Sequence, residues 1–314
     1  MYTFVIGRRY CNAPIADGGT LSTVAGLIAR LQRAVETREC SFLRRVQDQM
    51  QELLGRRFHR LFNTDKRSVV IAMDHGSTEG VMKGFEDPRR LLEQVIAGGA
   101  DVILTTVGIA RHFSKELSNV TLMIRCDGAT SPLLERPREL LVDADTLLAL
   151  GADAAAAMYF PGIPNGHGST IYFPKLASQA HRWNIPVMAE ALPYGFEQHP
   201  DARSAEALAA ACRMSVENGA DLVKTFYTGD RESFRRVIDS CYAPVLALGG
   251  PRTNSDEEFL ETIRGAMDAG AMGVVIGRNV WQAPSPLAMT RALVALVHHD
   301  VSVADAMQIL RDAG

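Results

Sequence analysis

The phrase Gly-Ala-Asp occurs at Gly99 to Asp101, Gly151 to Asp153 and Gly219 to Asp221. Each time it closes a helical stretch and opens an apolar run, and Gly270-Ala271-Met272-Gly273 is a variant of it. A unit of strand, helix and glycine stop that recurs along a chain confines it to parallel α/β architectures. Eight strand-like runs follow: Ser68 to Met73, Asp101 to Thr105, Val120 to Arg125, Asp153 to Tyr159, Pro186 to Glu190, Asp221 to Thr225, Pro244 to Leu248 and Gly273 to Gly277. They lack polar alternation, as expected of parallel strands buried on both faces, and the segments between them can hold helical crossovers. Pro88 to Gly98 is such a helix, with Leu91, Leu92, Val95 and Ile96 on one stripe. A doubly wound open sheet is the alternative, but eight consecutive units without a composition break favour closure into a (β/α)8 TIM barrel of about 245 residues.

The expected organisation is therefore an extension, 1–67, and a barrel catalytic domain, 68–314. Residues 1 to about 20 read as irregular; Leu21, Val24, Leu27, Ile28, Leu31 and Val35 then recur at helical spacing, so the extension is expected to be partly helical. An arginine-rich stretch follows and reads as a solvated face that caps the barrel or meets a second subunit. Lys plus Arg number 33 against 36 Asp plus Glu, so no global positive field points to nucleic acid or an anionic membrane. No uncharged apolar run approaches the roughly 20 residues of a membrane span. Five well-separated cysteines without a CxxC pair fit reduced thiols, and the expected location is the cytoplasm.

In a (β/α)8 barrel the active site lies at the C-terminal ends of the strands. There stand Asp74 and His75 (strand 1), Arg125 and Asp127 (strand 3), Tyr159 (strand 4), Glu190 (strand 5) and Lys224 (strand 6). Strand 7 leads into Gly249-Gly250-Pro251-Arg252 and strand 8 into Gly277-Arg278-Asn279. Lys224 interrupts an apolar run, where an unpaired ammonium is costly to bury. It is either an amine activated for Schiff-base formation or a structural lysine paired with Asp74 or Glu190; position alone leaves both open. The glycine turns, each with an arginine, fit a phosphate site made of backbone N–H groups together with Arg252 and Arg278. Acid–base work falls to Asp74, His75, Tyr159 or Glu190, with Asp74 favoured as the carboxylate beside the lysine. The eight histidines are scattered, which speaks against a metal-dependent mechanism, and no cofactor is indicated.

The segments Val69 to Gly76 (VVIAMDHG), Gly219 to Asp230 (GADLVKTFYTGD), Gly249 to Asn254 (GGPRTN) and Gly277 to Gln282 (GRNVWQ) resemble the class I, Schiff-base aldolases of the archaeal fructose-bisphosphate aldolase type. That group includes 2-amino-3,7-dideoxy-D-threo-hept-6-ulosonate synthase and the autoinducer-2 thiolase. The resemblance spans roughly residues 53 to 310. It implies that Lys224 is the Schiff-base lysine, that Asp74 matches the family aspartate, and that Gly249, Gly250, Gly277 and Arg278 hold a substrate phosphate. It also implies a metal-independent enzyme acting on a phosphorylated ketose or related carbonyl compound, and a homo-oligomer, with a decameric ring as one form. His75 and Arg125 are expected to bind other parts of the substrate. One segment departs from the pattern. The two aldolase branches end strand 5 in Tyr-Pro-Arg-Gly, whose tyrosine is the general acid and base, whereas this chain reads Ala191-Leu192-Pro193-Tyr194-Gly195. Leu192 takes the tyrosine's place, so Tyr194, Glu190 or Tyr159 must replace it if aldol cleavage survives. The loss leaves two alternatives: thiolase-type acyl transfer on a phosphorylated diketone, or a non-catalytic barrel that binds a phosphorylated metabolite.

Overall fold

The computed structural model describes residues 55–128, 138–163, 168–196 and 199–312. The expectations for residues 1–54, including Cys11 and Cys40, and for His167 lie outside them. Eight parallel strands close in sequence order: β1 Ser68–Met73, β2 Val102–Thr105, β3 Thr121–Arg125, β4 Ala154–Tyr159, β5 Val187–Ala191, β6 Leu222–Thr225, β7 Val245–Leu248 and β8 Gly273–Ile276. β8 returns to β1 through the pairing of Ser68 with Gly273. The chain is thus a (β/α)8 barrel, and each strand lies within a residue of its sequence expectation.

The repeated tripeptide has a double function. Its glycine adopts a left-handed conformation (φ +95° at Gly99, +68° at Gly151, +99° at Gly219) that ends the preceding helix without a Cβ clash. Its aspartate reaches sideways and accepts a backbone N–H at the start of the preceding strand: Asp101 from Val69 at 2.7 Å, Asp153 from Leu122 at 3.0 Å, Asp221 from Val187 at 2.7 Å. The pairs β1–β2, β3–β4 and β5–β6 are clasped in this way at the N-terminal end of the barrel.

The two-residue strand period sorts the core. Val70 and Ala72 of β1, Met123 of β3, Ala154 and Ala156 of β4, Met188 of β5 and Leu222 of β6 point inward, where Phe58 and Leu61 join them. Phe58 comes from the short helix Gly55–His59. The alternate residues Val69, Ile71, Ala155, Ala157, Val187 and Val223 face the surrounding helices. Cys126, Cys212 and Cys241 are buried and unpaired. No helix among the described residues is long and apolar enough to cross a membrane.

At the end of the helix Pro286–His298, the His298 ring bridges two carboxylates, Nδ1 2.8 Å from Asp65 and Nε2 2.9 Å from Asp101. Burial disfavours the imidazolium, but the hydrogen bonds it donates to Asp101 and Asp65 outweigh it and raise the pKa. A raised histidine pKa stabilises the fold fully below the unfolded value of about 6.5, and that contribution is lost as pH rises through the folded value. Urea titrations of wild type and His298→Gln are therefore expected to differ more at about pH 5.5 than at about pH 8.5. An equal gap at both values would mean that folding does not raise the His298 pKa.

Candidate active site

One inward position beyond the apolar layers, the interior turns polar. Asp74, Arg125, Glu190 and Lys224 continue the inward series of β1, β3, β5 and β6, and all four are buried. They form one chain of contacts. Glu190 and Lys224 are register partners across β5 and β6, and Lys224 Nζ lies 2.9 Å from Glu190 Oε1. Arg125 Nη2 donates to Glu190 Oε2 at 2.5 Å, and Arg125 Nε donates to Asp74 Oδ2 at 2.7 Å. His75 Nδ1 lies 3.3 Å from Asp74 Oδ1. Just past the end of β3, Asp127, its side chain buried, accepts from Tyr172 Oη (2.7 Å) and from the Met158 N–H (3.1 Å), 3.5 Å from Arg125 Nη1.

Charge balance keeps Asp74, Glu190 and Arg125 ionised. Burial acts to raise the Asp74 pKa, but Arg125, His75 and Lys224 together hold it well below the usual carboxylate range. For Glu190 burial and Asp74 push upward, and Lys224 with Arg125 prevails, so it too is lowered. The Arg125 guanidinium is held protonated, because its three carboxylate neighbours outweigh its burial.

The cluster forms the floor of a cavity of about 570 Å³ at the C-terminal mouth, also lined by Gly249, Gly250, Gly277 and Arg278. Gly277 leaves the room this wall needs, since a Cβ there would come within 2.9 Å of His75 Cε1 and 3.2 Å of the Ala72 carbonyl. The buried Arg278 Nε has no hydrogen-bond partner among the described residues. An unpaired buried donor beside two glycine turns suits an incoming anion.

Three expected residues stand elsewhere. Tyr159 shares the outward parity of Ala155 and Ala157, so it packs edge-on against Phe173 and its hydroxyl accepts from Asn218 Nδ2 at 3.1 Å. Tyr194 sits in a turn at φ +62°, which sends its ring onto His199, stacked at 3.5 Å, and against Gly162. Arg252 braces the two glycine turns from behind, donating to the Asn279 carbonyl at 3.1 Å and to Asp256 at 2.6 Å. The carboxylate beside the lysine is Glu190, while Asp74 contacts the lysine's neighbour Arg125. Leu192 faces inward and packs with Phe160 and Ile163. Two cavity residues that the sequence reading missed, Arg138 and Arg203, lie on loops without a periodic signal.

A closed parallel barrel with a buried lysine and carboxylate at its C-terminal mouth is the architecture of a class I aldolase-type enzyme. The sequence profile of the DeoC/LacD family aldolases matches residues 68–283, and the chain belongs to that family. It is 37% identical over 240 residues to a 2-amino-3,7-dideoxy-D-threo-hept-6-ulosonate synthase of Halobacterium salinarum, covering 76% of this chain and 89% of that one. It is 33% identical over 258 residues to a 3-hydroxy-5-phosphonooxypentane-2,4-dione thiolase of an Enterobacter species, covering 82% and 85%. Among solved structures, a Schiff base forming fructose-1,6-bisphosphate aldolase superimposes with a TM-score of 0.71 at 30% identity, over 77% of this chain and 98% of that one.

Proposed function

We propose that the chain is a metal-independent class I aldolase that cleaves or forms a carbon–carbon bond in a phosphorylated ketose or related carbonyl compound, with Lys224 as the Schiff-base nucleophile. The observation that carries this reading is the 2.9 Å contact of Lys224 Nζ with Glu190 on the cavity floor, facing glycine turns beside Arg278 Nε, which has no partner among the described residues. The phosphorylated compounds named for its relatives support the substrate class. The buried, unpaired cysteines fit a reducing compartment, and we place the enzyme in the cytoplasm.

Lys224 passes a proton to Glu190 and attacks the ketone carbon with the freed lone pair. The N–C bond forms as the carbonyl π electrons move to oxygen, which takes a proton from the newly bonded nitrogen. That hydroxyl then takes the proton held by Glu190 and leaves as water, and the nitrogen lone pair completes the iminium. The bond between the adjacent carbon and the hydroxyl-bearing carbon beyond it breaks, its electrons flowing into the iminium to give an enamine. The hydroxyl proton goes to a carboxylate as the aldehyde forms. Protonation of the enamine carbon and hydrolysis return Lys224. Glu190 is within reach of both proton transfers; Asp74, held through Arg125, keeps the guanidinium in place and the floor charged. The phosphate at the turns supplies binding energy that fixes the carbonyl over Nζ.

Borohydride treatment of the protein with dihydroxyacetone phosphate, followed by peptide mass spectrometry, is expected to find the reduced adduct on Lys224. An adduct on another lysine would overturn the assignment. Glu190→Gln is expected to keep a detectable adduct while kcat falls by about 10²- to 10⁴-fold, the usual contribution of a positioned proton carrier. A loss below tenfold would give the proton transfers to Asp74. Leu192 favours one second reading, acyl transfer between a phosphorylated diketone and a thiol, because no phenol stands at the family tyrosine's position. Dependence of product formation on coenzyme A separates the two.

A further inference from the structure

Between the glycine turn after β8 and the charged floor stands one imidazole, that of His75. Its side chain is 22% exposed and lines the cavity. Trp281 packs edge-on against it, with ring centroids 5.5 Å apart, and is itself pinned to β1 by a hydrogen bond from Nε1 to the Ala72 carbonyl at 3.2 Å. The Cε1 corner of the imidazole abuts Gly277, where a Cβ would come within 2.9 Å of it. Nδ1 is buried, 3.3 Å from Asp74 Oδ1, and makes no well-directed hydrogen bond among the described residues. The charged groups around the ring, among those residues, are Asp74 beside it, Arg125 and Lys224 beyond Asp74, Arg278 after β8 and Glu79 one turn further along the chain.

The two ring nitrogens face different demands. Asp74 is held ionised, so the nitrogen that faces it must carry the hydrogen. In a neutral imidazole the other nitrogen, Nε2, then presents a bare lone pair. Nε2 is bonded to Cε1 and so lies beside the Gly277 turn, where the proposed reading puts the substrate's phosphate. A phosphate oxygen is an acceptor and would meet that lone pair as a repulsion. A proton on Nε2 converts the repulsion into a charge-assisted hydrogen bond, and a nearby anion favours that proton. The inference rests on the phosphate assignment under the proposed function. We propose that His75 takes up one proton from solvent when a dianion occupies the Gly277 turn, and that the imidazolium bridges the dianion and Asp74, so that phosphate recognition is proton-coupled.

The test is titration calorimetry of the full-length protein with sulfate, a dianion whose own charge is constant across the histidine range. It is run in buffers of differing ionisation enthalpy at about pH 6.5, 7.5 and 8.5. The buffer dependence of the heat is expected to show uptake approaching one proton per sulfate at one or more of these values. His75→Asn keeps a donor for Asp74 but cannot titrate, and His75→Gln is the second variant should it not fold. In either the uptake is expected to vanish, with sulfate binding about ten- to a hundredfold weaker at the lowest pH, the range for a hydrogen bond to a charged group, and the gap narrowing as pH rises. Binding without uptake at all three values, or uptake that persists without His75, would overturn the proposal. Arg278→Ala is expected to weaken sulfate binding, which locates the anion. If it does so while wild type takes up no proton, the phosphate assignment stands and this inference alone fails. If sulfate does not bind, or binds Arg278→Ala as tightly as wild type, the phosphate assignment falls and this inference with it.

Discussion

Replacing Lys224 by methionine is expected to abolish turnover and the borohydride adduct together while leaving the barrel folded. Methionine keeps a flexible apolar stem in the space the lysine fills, and at 7% exposure that stem is packed on all sides. What is lost is the amine, and with it the electron sink. The loss of charge is tolerable because Glu190 keeps its other partner, Arg125 Nη2, at 2.5 Å. The stability change is therefore expected to stay within about 3 kcal/mol, the range for a hydrogen bond to a charged group. Circular dichroism melts with parallel assays of the retro-aldol direction separate the two effects. A folded variant retaining turnover within about tenfold of wild type, little more than 1 kcal/mol in barrier, would place the reacting group elsewhere.

How much of this was legible in the sequence depended on whether a face of a strand carried a signal. The barrel was plain, because the Gly-Ala-Asp stops mark strand starts through two physical requirements at once, a left-handed glycine and a carboxylate that clasps the preceding strand. Strand ends were nearly as clear, and they placed Asp74, Arg125, Glu190 and Lys224 at one mouth. Parity was the harder part. In β4 the run Ala154-Ala155-Ala156-Ala157 is apolar on both faces, so nothing marks Met158 as inward and Tyr159 as outward. Partner choice was hidden for a different reason. That Lys224 meets Glu190 follows from their register across β5 and β6, a tertiary property. Arg252 looked like Arg278, an arginine beside a glycine turn, yet Arg252 reaches Asp256 one helical turn further on. Arg138 and Arg203 lie on loops, where no periodicity tells a cavity residue from a solvated one.

Arg125 is expected to be the residue on which the site's stability turns. It is buried among three carboxylates, with Nε on Asp74, Nη2 on Glu190 and Nη1 near Asp127. Arg125→Leu keeps much of the volume and leaves those carboxylates to one another, with Lys224 beside Glu190 and Arg138 3.7 Å from Asp127 as the remaining cations. Breaking a buried ion pair from one side costs about 3–5 kcal/mol. For a domain of this size that corresponds to a fall in Tm of about 6–20 °C. The acid limb carries the sign. In the wild type Asp74 and Glu190 have lowered pKa values, so their contribution is full above the ordinary carboxylate range near pH 4 and is lost as pH falls through the depressed values. Without Arg125, burial dominates Asp74 and raises its pKa, so acid unfolding is expected to begin at higher pH than in wild type. Activity is expected to fall as well, since Glu190 loses the guanidinium that orients it toward Nζ. Fluorescence-monitored acid titrations of the two proteins test this. Coincident acid midpoints would mean that Arg125 positions the carboxylates without setting their ionisation, and the charged floor would then owe its state to Lys224.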